Sequence, residues 1–205
     1  MFTGLIREMA EVISLKNNFL TLKAKYKAKI GDSIAVNGAC LTVVSTSENT
    51  FSVEISPETQ NILAMENYKR KVHIEPAMMM GDRFEGHIVQ GHVDCVGTIK
   101  AINKNGNSTD FIISIPKKYL RYVIPKGSIT IDGVSLTIND IFEDSFRLTI
   151  IPHTIKNTLF QTYKKGSRVN VETDMFARYI FNMFKSSKDD DKLTWDKVDK
   201  IMATY

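Results

Sequence analysis

The stretch GDSIAVNGACLTVV, from Gly31 to Val44, occurs a second time in altered form as KGSITIDGVSLTIND, from Lys126 to Asp140. The two segments align without a gap, with Gly38 matched to Gly133 at an offset of 95 positions. The same offset joins FSVEISPET, which ends at Thr59, to FRLTIIPHT, which ends at Thr154. Self-similarity over this length indicates two homologous domains in one polypeptide.

The local signals inside each copy are those of β-strands. Short runs rich in β-branched residues flank Asn37-Gly38 and Asp132-Gly133. Both dipeptides predict a hairpin, because the two central positions of a type I′ turn need positive φ. Further strands are predicted at 51–55, 71–74, 96–101, 111–115, 146–151 and 168–171. Short strands at this spacing in a small domain predict an all-β fold of antiparallel barrels.

The ends of the repeat match less closely and at other offsets. Gly4 aligns with Gly91 at an offset of 87, and Val72 aligns with Val169 at an offset of 97. The second copy therefore carries eight extra residues before its central hairpin, which we place in the turn-forming run 103–108, because loops absorb insertions.

A different periodicity follows the second copy. Phe176, Tyr179, Ile180, Met183 and Phe184 recur at three- and four-residue intervals, which predicts an amphipathic helix over 175–185. Its apolar stripe could pack on the chain's own barrels or on other subunits, and we favour self-association. Residues 186–191 are expected to be a polar linker, with a last helix from 194. The expected domains are 1–88, 89–174 and a helical tail of 175–205 that serves as an oligomerisation element.

Composition narrows the class of protein. Hydrophobic residues make up 43% and charged residues 24%, and no apolar run approaches the roughly 20 residues that span a bilayer. We therefore expect no membrane insertion, no secretory signal and a cytoplasmic location. The formal charge of +4 is spread thinly, without the interleaved aromatic residues of a nucleic-acid surface. Two cysteines without a CxxC pair argue against a disulfide framework or a cysteine zinc site.

Several motifs in the chain resemble those of the riboflavin synthase family. They occur in the family's order at 1–4 (MFTG), 38–42 (GACLT), 86–94 (GHIVQGHVD), 126–129 (KGSI), 132–137 (DGVSLT), 151–154 (IPHT) and 169–172 (VNVE). The resemblance implies two six-stranded Greek-key barrels in tandem and a homotrimer held by the C-terminal helix. It places the active site between the N-terminal barrel of one subunit and the C-terminal barrel of its neighbour.

The implied reaction is a dismutation without an external cofactor. Two molecules of 6,7-dimethyl-8-ribityllumazine bind per site, and one donates a four-carbon unit to the other, giving riboflavin and 5-amino-6-ribitylamino-2,4-pyrimidinedione. Duplicated barrels suit a reaction between two identical molecules, since holding both in register can lower the barrier by roughly 7–11 kcal/mol. Lumazine synthase is a candidate partner.

Differences between the copies suggest that the two barrels have different roles in the reaction. Cys40 and Ser135 occupy the same place, two residues after the turn glycine. A cysteine on a strand is commonly a small buried hydrophobic residue, but the resemblance makes both residues candidates for hydrogen bonding to, or addition to, the heterocycle. Lys126, Asp132, Asp174 and Phe2 join them, with Phe2 expected to cover the ring. Turn geometry and solvation are the simpler explanations for Lys126 and Asp132.

Histidine titrates near neutral pH, and the reaction must remove a proton from the C7 methyl group of the lumazine. His92, which aligns with Leu5, is the preferred general acid or base, and His87 is interpreted as structural. The five-residue spacing of the two histidines is poor geometry for a metal, so no metal is expected. Asp94, Glu75 and Glu172 could equally be surface charges.

Two sets of residues are expected to line the two lumazine pockets. The first set is Gly4, Leu5, Ile6, Cys40, Leu41, Thr42, Glu54, Ile55, Ser56, Pro57, Glu58 and Thr59. The second is Gly91, His92, Val93, Lys126, Ser135, Leu136, Thr137, Thr149, Ile150, Ile151, Pro152, His153 and Thr154.

Two other functions compete with this interpretation. A non-catalytic lumazine- or flavin-binding protein shares the ancestry, but such proteins typically lose the ligand motif of the second copy, and Ser135, Thr137, His92 and Thr154 are all present here. A flavin-linked reductase would need a glycine-rich nucleotide-binding turn, which the sequence lacks.

Overall fold

Two closed six-stranded antiparallel barrels and a C-terminal helix make up the computed structural model, which describes residues 1–190 and the side chains up to residue 185. The first barrel contains β1 (Glu8–Lys16), β2 (Phe19–Lys23), β3 (Ser33–Val36), β4 (Ala39–Thr46), β5 (Thr50–Glu54) and β6 (Lys71–Pro76). The second contains β7 (Cys95–Asn105), β8 (Ser108–Ser114), β9 (Ser128–Ile131), β10 (Val134–Ile141), β11 (Ser145–Ile150) and β12 (Arg168–Thr173). Both barrels have the same strand order, β1-β2-β5-β4-β3-β6 and β7-β8-β11-β10-β9-β12, which confirms the predicted fold class.

Short helices connect the strands at equivalent places. α1 (Pro57–Ile62) and α3 (Pro152–Asn157) follow β5 and β11, each with proline in its first turn, where the missing N–H costs nothing. α2 (Lys117–Leu120) lies between β8 and β9, and 3₁₀ turns span Met65–Asn67 and Leu159–Thr162.

The eight extra residues of the second copy fall in two places, so their expected position at 103–108 is only half correct. Glu11 and Thr98 are equivalent at an offset of 87. Their partners across the hairpins, Lys23 and Ser114, are equivalent at an offset of 91. The longer β7–β8 hairpin therefore takes four residues. The connection that holds α2 takes the other four, because the offset is 95 where β3 and β9 begin.

Strands β1 and β2 are absent from the strands predicted for the first copy. A bulge between Val12 and Ser14 shifts the register of β1 against β2. Ile13 and Leu15 then face solvent with 52% and 36% of their surface exposed, which obscures the alternation of apolar and polar residues that marks a strand.

Each barrel has its own apolar core. The first is built around residues such as Leu20, Ile34 and Ile74, and the second around residues such as Ile99, Phe111 and Phe146. Val93, which precedes the second barrel, belongs to the first core, and Ile6, which precedes the first barrel, packs on the second. The segment that leads into each barrel thus runs across the other barrel.

A buried polar cluster joins the barrels. In it the equivalent residues His73 and Asn170 each bond one backbone carbonyl and one backbone N–H group. The His73 ring lies with Nδ1 2.8 Å from the Asp132 carbonyl, and Nε2 accepts the Leu159 N–H at 2.7 Å. Asn170 donates from Nδ2 to the Asn37 carbonyl at 2.8 Å and accepts the Ala64 N–H at 2.7 Å. Because a backbone N–H can only donate, His73 is the neutral tautomer with its proton on Nδ1. Burial lowers the pKa of His73 to about 4.

Helix α4 (Met175–Asp190) is longer than predicted and continues through most of the expected polar linker. It docks on the second barrel through Arg178, which forms an ion pair with Asp94 at 2.9 Å, and through Phe181, which packs edge-on against Tyr122. The helix predicted from 194 lies outside the described residues. Within residues 1–190, no helix has both the length and the apolar character that crossing a membrane requires.

Candidate active site

The first cleft lies on the outer face of β4, around Cys40. Two adjoining cavities of about 260 and 280 Å³ share Cys40 and Thr59. One is lined by Ala39, Cys40, Thr59, Ile62, Leu63, Gly91, His92 and Val93, and the other by Cys40, Leu41, Thr42, Val44, Glu54, Ser56 and Thr59. Six of the twelve residues predicted for the first pocket line these cavities, namely Cys40, Leu41, Thr42, Glu54, Ser56 and Thr59.

The segments that lead into the barrels are exchanged relative to the prediction. The Cys40 N–H donates to the Gly91 carbonyl at 2.8 Å, and the Ser135 N–H donates to the Gly4 carbonyl at 2.8 Å. Gly91, His92 and Val93 therefore belong to the cleft of Cys40, while the segment Gly4–Ile6 lies beside Ser135. The expected assignment of these two triplets was wrong, because aligning the copies shows which residues are equivalent but not which barrel each segment contacts.

Two buried glutamates hold these leading segments in place. Glu75 accepts hydrogen bonds from the N–H groups of Thr3 and Gly4 at 2.7 and 3.0 Å. Glu172 accepts the N–H groups of Gln90, Gly91 and His92 at 2.8 to 3.1 Å.

Each glutamate is only 3% exposed, so neither is a surface charge. Burial raises the pKa of Glu75, and it raises the pKa of Glu172 to about 7. Asp94 is also paired, because it accepts a hydrogen bond from the Thr173 N–H at 2.7 Å and forms an ion pair with Arg178. The matching positions of Glu75 and Glu172 near the ends of β6 and β12 were the sequence signal that could have indicated this shared role.

Ser135 has a histidine partner, and it is His87. His87 Nδ1 lies 2.7 Å from Ser135 Oγ, and the ring is partly buried. Burial lowers the pKa of His87, and the carboxylate of Asp174 opposes that shift. Asp174 also accepts the Phe176 N–H at 2.8 Å at the start of α4. Ser135, His87 and Asp174 thus form one group of polar side chains.

His92 is exposed and lies in the Cys40 cleft, away from this group. His92 was the preferred acid or base because it aligns with Leu5, and His87 was interpreted as structural because it precedes the second barrel.

Three other predicted residues lie elsewhere. Asp132 is fully buried between the barrels, where it accepts the Asn170 N–H at 2.8 Å and a short hydrogen bond from the Tyr163 hydroxyl. Lys126 is exposed in the turn before β9, with φ of 65°. Phe2 is fully buried and pairs through its backbone with Val89. The surroundings of Asp132 and Phe2 are those of structural residues.

The remaining predicted residues divide by orientation. Ile55 and Ile150 point into the two cores, so only their backbone can face a ligand. Leu136 is partly buried against the second core and Thr137 is exposed. Six residues lie at or next to the first turns of α1 and α3: Pro57, Glu58, Ile151, Pro152, His153 and Thr154. Among the described residues, no group of three or more histidine, cysteine or carboxylate side chains could hold a metal ion.

The second barrel carries an ion network around Thr149 that the first barrel lacks at the equivalent residues. Thr149 donates its hydroxyl proton to Asp110 at 2.7 Å, and its N–H donates to the Asn139 side chain at 2.8 Å. Arg147 forms ion pairs with both Asp110 and Asp140. In the first copy the residue equivalent to Thr149 is Glu54, which is exposed in the Cys40 cleft. The two barrels thus differ in charge at this equivalent position.

Comparisons with known proteins agree with this geometry. The lumazine-binding domain family matches twice, at residues 3–77 and 90–174. Riboflavin synthase of Photobacterium phosphoreum is 39% identical over 202 residues, which cover 94% of this chain and 93% of that protein. The Actinobacillus pleuropneumoniae enzyme is 43% identical over 189 residues and 88% of each chain, and the Bacillus subtilis (strain 168) enzyme is 38% identical over 92% of each chain.

Solved structures of LumP show the same fold. The complex with riboflavin superposes with a TM-score of 0.74 at 25% identity, over 84% of this chain and 99% of that chain. The complex with 6,7-dimethyl-8-(1'-D-ribityl) lumazine gives a TM-score of 0.71 over the same coverage. With one lumazine-binding domain in each barrel, the chain belongs to the riboflavin synthase family.

Proposed function

We propose that this chain is a riboflavin synthase, a transferase that dismutates two molecules of 6,7-dimethyl-8-ribityllumazine. One molecule gives up a four-carbon unit and leaves as 5-amino-6-ribitylamino-2,4-pyrimidinedione, and the other accepts the unit and becomes riboflavin. The observation that carries this proposal is the pair of related surfaces, one at Cys40 and one at Ser135, on homologous barrels. A reaction between two identical molecules requires two similar sites, and duplication supplies them.

Ser135 and His87 are the groups best placed for proton transfer. With Nδ1 2.7 Å from Oγ, the neutral imidazole can take the serine proton as the serine oxygen takes one from the C7 methyl group of a lumazine. The Asp174 carboxylate stabilises the imidazolium that forms. His92 and Cys40 line the other cleft, where they can orient the second ring.

The active unit is proposed to be a homotrimer in which the Cys40 cleft of one subunit faces the Ser135 surface of the next. The exposed apolar side chains of α4 support this assembly. Phe176, Tyr179, Ile180 and Met183 have 53% to 71% of their surface exposed although the helix is docked on its own barrel by other residues. A stripe of this size on one helix is typical of an interface. Lumazine synthase as a partner and a cytoplasmic location are proposed on family resemblance alone.

The test is to incubate the purified full chain with 6,7-dimethyl-8-ribityllumazine alone and to follow riboflavin absorbance. Riboflavin should accumulate to one molecule for every two lumazines consumed. Saturable binding without product would contradict the catalytic proposal and favour the non-catalytic binding protein.

A further inference from the structure

A groove of about 590 Å³ runs between the two barrels, apart from the cleft of Cys40 and from Ser135. It is walled by the segment that joins the Met65–Asn67 turn to β6 and by the turn at Leu159–Thr162. The volume lies within the range of roughly 300–1,000 Å³ that is usual for small-molecule sites. None of the residues assigned to the proposed reaction lines it.

The charged side chains that line this groove are three cations and one carboxylate, Glu66, which is already paired with Arg168. Lys69, Arg70 and Lys71 are consecutive, all are exposed, and none forms an ion pair with any described residue. Glu11 lies opposite Lys71 across the β1–β6 ladder and partly offsets its charge. Lys69 and Arg70 precede β6 and lie outside that ladder.

Comparison of the two copies shows that one ion pair at the barrel interface has no equivalent. Glu66 forms an ion pair with Arg168 across the barrel interface at 3.1 Å. The equivalent of Glu66 is Gln161, and the equivalent of Arg168 is Lys71. Gln161 is neutral and its amide donates to the carbonyls of Lys156 and Thr158 instead. Within the groove, Glu66 is therefore neutralised by Arg168, whereas Lys71 has the neutral Gln161 where the equivalent pair has a carboxylate.

Part of the remaining wall is apolar. Met9, Leu159 and Tyr163 form this part, beside the polar Asn67, Gln161, Thr162 and Ser167. The Tyr163 hydroxyl is already bound to Asp132, which leaves the ring of Tyr163 for contact. Methionine and tyrosine side chains both pack favourably against aromatic groups.

We propose that this groove binds a phosphorylated aromatic ligand of the nucleoside diphosphate class. The phosphates contact Lys69, Arg70 and Lys71, and the base lies on Met9, Leu159 and Tyr163. Cationic side chains that are not already paired provide the charge-assisted hydrogen bonds that phosphate oxygens accept. The site does not depend on the proposed reaction, because none of the residues that line it has a role in that reaction.

Calorimetric titration of the full chain with ADP at low ionic strength tests the proposal. One ADP should bind per chain, and affinity should fall as salt is added, because exposed ion pairs are screened. The double variant Lys69→Ala with Arg70→Ala should bind ADP at least about tenfold more weakly, the equivalent of about 1.4 kcal/mol. Pyrophosphate should compete with ADP but bind less tightly, since it leaves the apolar wall empty.

The matched control is Lys164→Ala with Lys165→Ala. It removes the same charge from the corresponding turn before β12, and these lysines do not line the groove. The control should bind ADP like the unaltered chain, and both double variants should keep its melting temperature. Absence of saturable ADP binding, equal losses in the two double variants, or equal affinity for pyrophosphate and ADP would overturn the proposal.

Discussion

Gly38 and Gly133 lie in backbone contact on the axis that relates the two barrels. A Cβ built on Gly38 would be 2.8 Å from the Gly133 nitrogen, and one built on Gly133 would be 2.9 Å from the Gly38 nitrogen. Phe2 and Val89, which are also equivalent, form an antiparallel bridge with each other. Equivalent residues that contact each other define a two-fold relation, as in an isologous dimer interface. The duplicated chain is thus an internal dimer whose halves meet at the turns of their central hairpins.

Gly38→Ala should therefore destabilise the chain strongly. The new methyl group would collide with the Gly133 backbone, and φ of 82° is unfavourable for alanine. Strain and overpacking together should lower the free energy of unfolding by about 3 kcal/mol. Urea unfolding measures the change. Gly106→Ala is the control, because its φ is 58° but nothing lies within 4 Å of the added Cβ, so a loss of only about 1 kcal/mol is expected. Equal losses would argue against the close contact.

His73→Asn should be tolerated far better than His73→Ala. Asparagine supplies one donor and one acceptor, as Asn170 does at the equivalent position. Alanine would leave the Leu159 N–H and the Asp132 carbonyl unpaired in a buried place, which should cost about 2–4 kcal/mol. Urea unfolding at pH 7 compares the two. A similar loss in both variants would contradict the equivalence of His73 and Asn170.

The same substitution should remove one source of acid sensitivity. Because the pKa of His73 falls from 6.5 to about 4 on burial, the unfolded chain binds the proton more readily in that interval. The contribution of His73 to stability is present above pH 6.5 and is lost as the pH falls towards 4, with a slope of up to about 1.4 kcal/mol per pH unit. The difference in unfolding free energy between His73→Asn and the unaltered chain should change over this range and stay constant above it.

Asp132→Asn should have the opposite pH dependence. Burial raises the pKa of Asp132 from 3.8 to about 7, so the folded chain holds this proton more tightly than the unfolded chain. Its contribution is fully present below pH 3.8 and is lost as the pH rises through about 7. The variant resembles the first copy, which has Asn37 there, and it should gain stability relative to the unaltered chain as the pH rises. Asp140→Asn, at a half-exposed side chain, is the control, and parallel curves for Asp132→Asn would refute the assignment.

The barrels could be predicted from sequence because their signals are local. Asn37-Gly38 and Asp132-Gly133 fix the hairpins, and both asparagine and aspartate have φ of 45° in the structure. The exchanged leading segments could not be predicted, because the alignment of Gly4 with Gly91 gives equivalence and not contact. The bond between His87 and Ser135 spans 48 positions and has no counterpart in the first copy, so neither periodicity nor the repeat indicates it.

His87→Ala and Ser135→Ala should lower kcat by about 10²- to 10⁴-fold, the usual contribution of a positioned acid or base. His92→Ala, in the other cleft, should raise KM more than it lowers kcat. Steady-state kinetics with dimethylribityllumazine, alongside melting temperatures, separates these effects. His87→Gln keeps a hydrogen-bonding group but cannot exchange a proton near neutral pH, so it should not restore kcat.

The pH profile provides a second readout for His87. Since burial lowers the pKa of His87, the neutral imidazole persists below pH 6.5, and kcat should decline only at pH values below that. A decline that begins above pH 6.5, or kcat losses that simply follow losses in melting temperature, would contradict a role in proton transfer.

Ile180→Glu should dissociate the assembly and abolish turnover while each chain stays folded. Ile180 is 53% exposed on the free face of α4, whereas Arg178 and Phe181 hold the helix on its own barrel, so the charge would disturb only contacts with other subunits. Sedimentation should give a trimer for the unaltered chain and a monomer for Ile180→Glu and for a chain that ends at Asp174. The control is Lys185→Glu, at an exposed residue of the same helix, and this variant should remain a trimer.

Because the proposed site needs the Cys40 cleft of one subunit and Ser135 of another, the monomeric variants should bind lumazine yet form no riboflavin. A monomeric unaltered chain, or full turnover by Ile180→Glu, would mean that both lumazines react within one subunit.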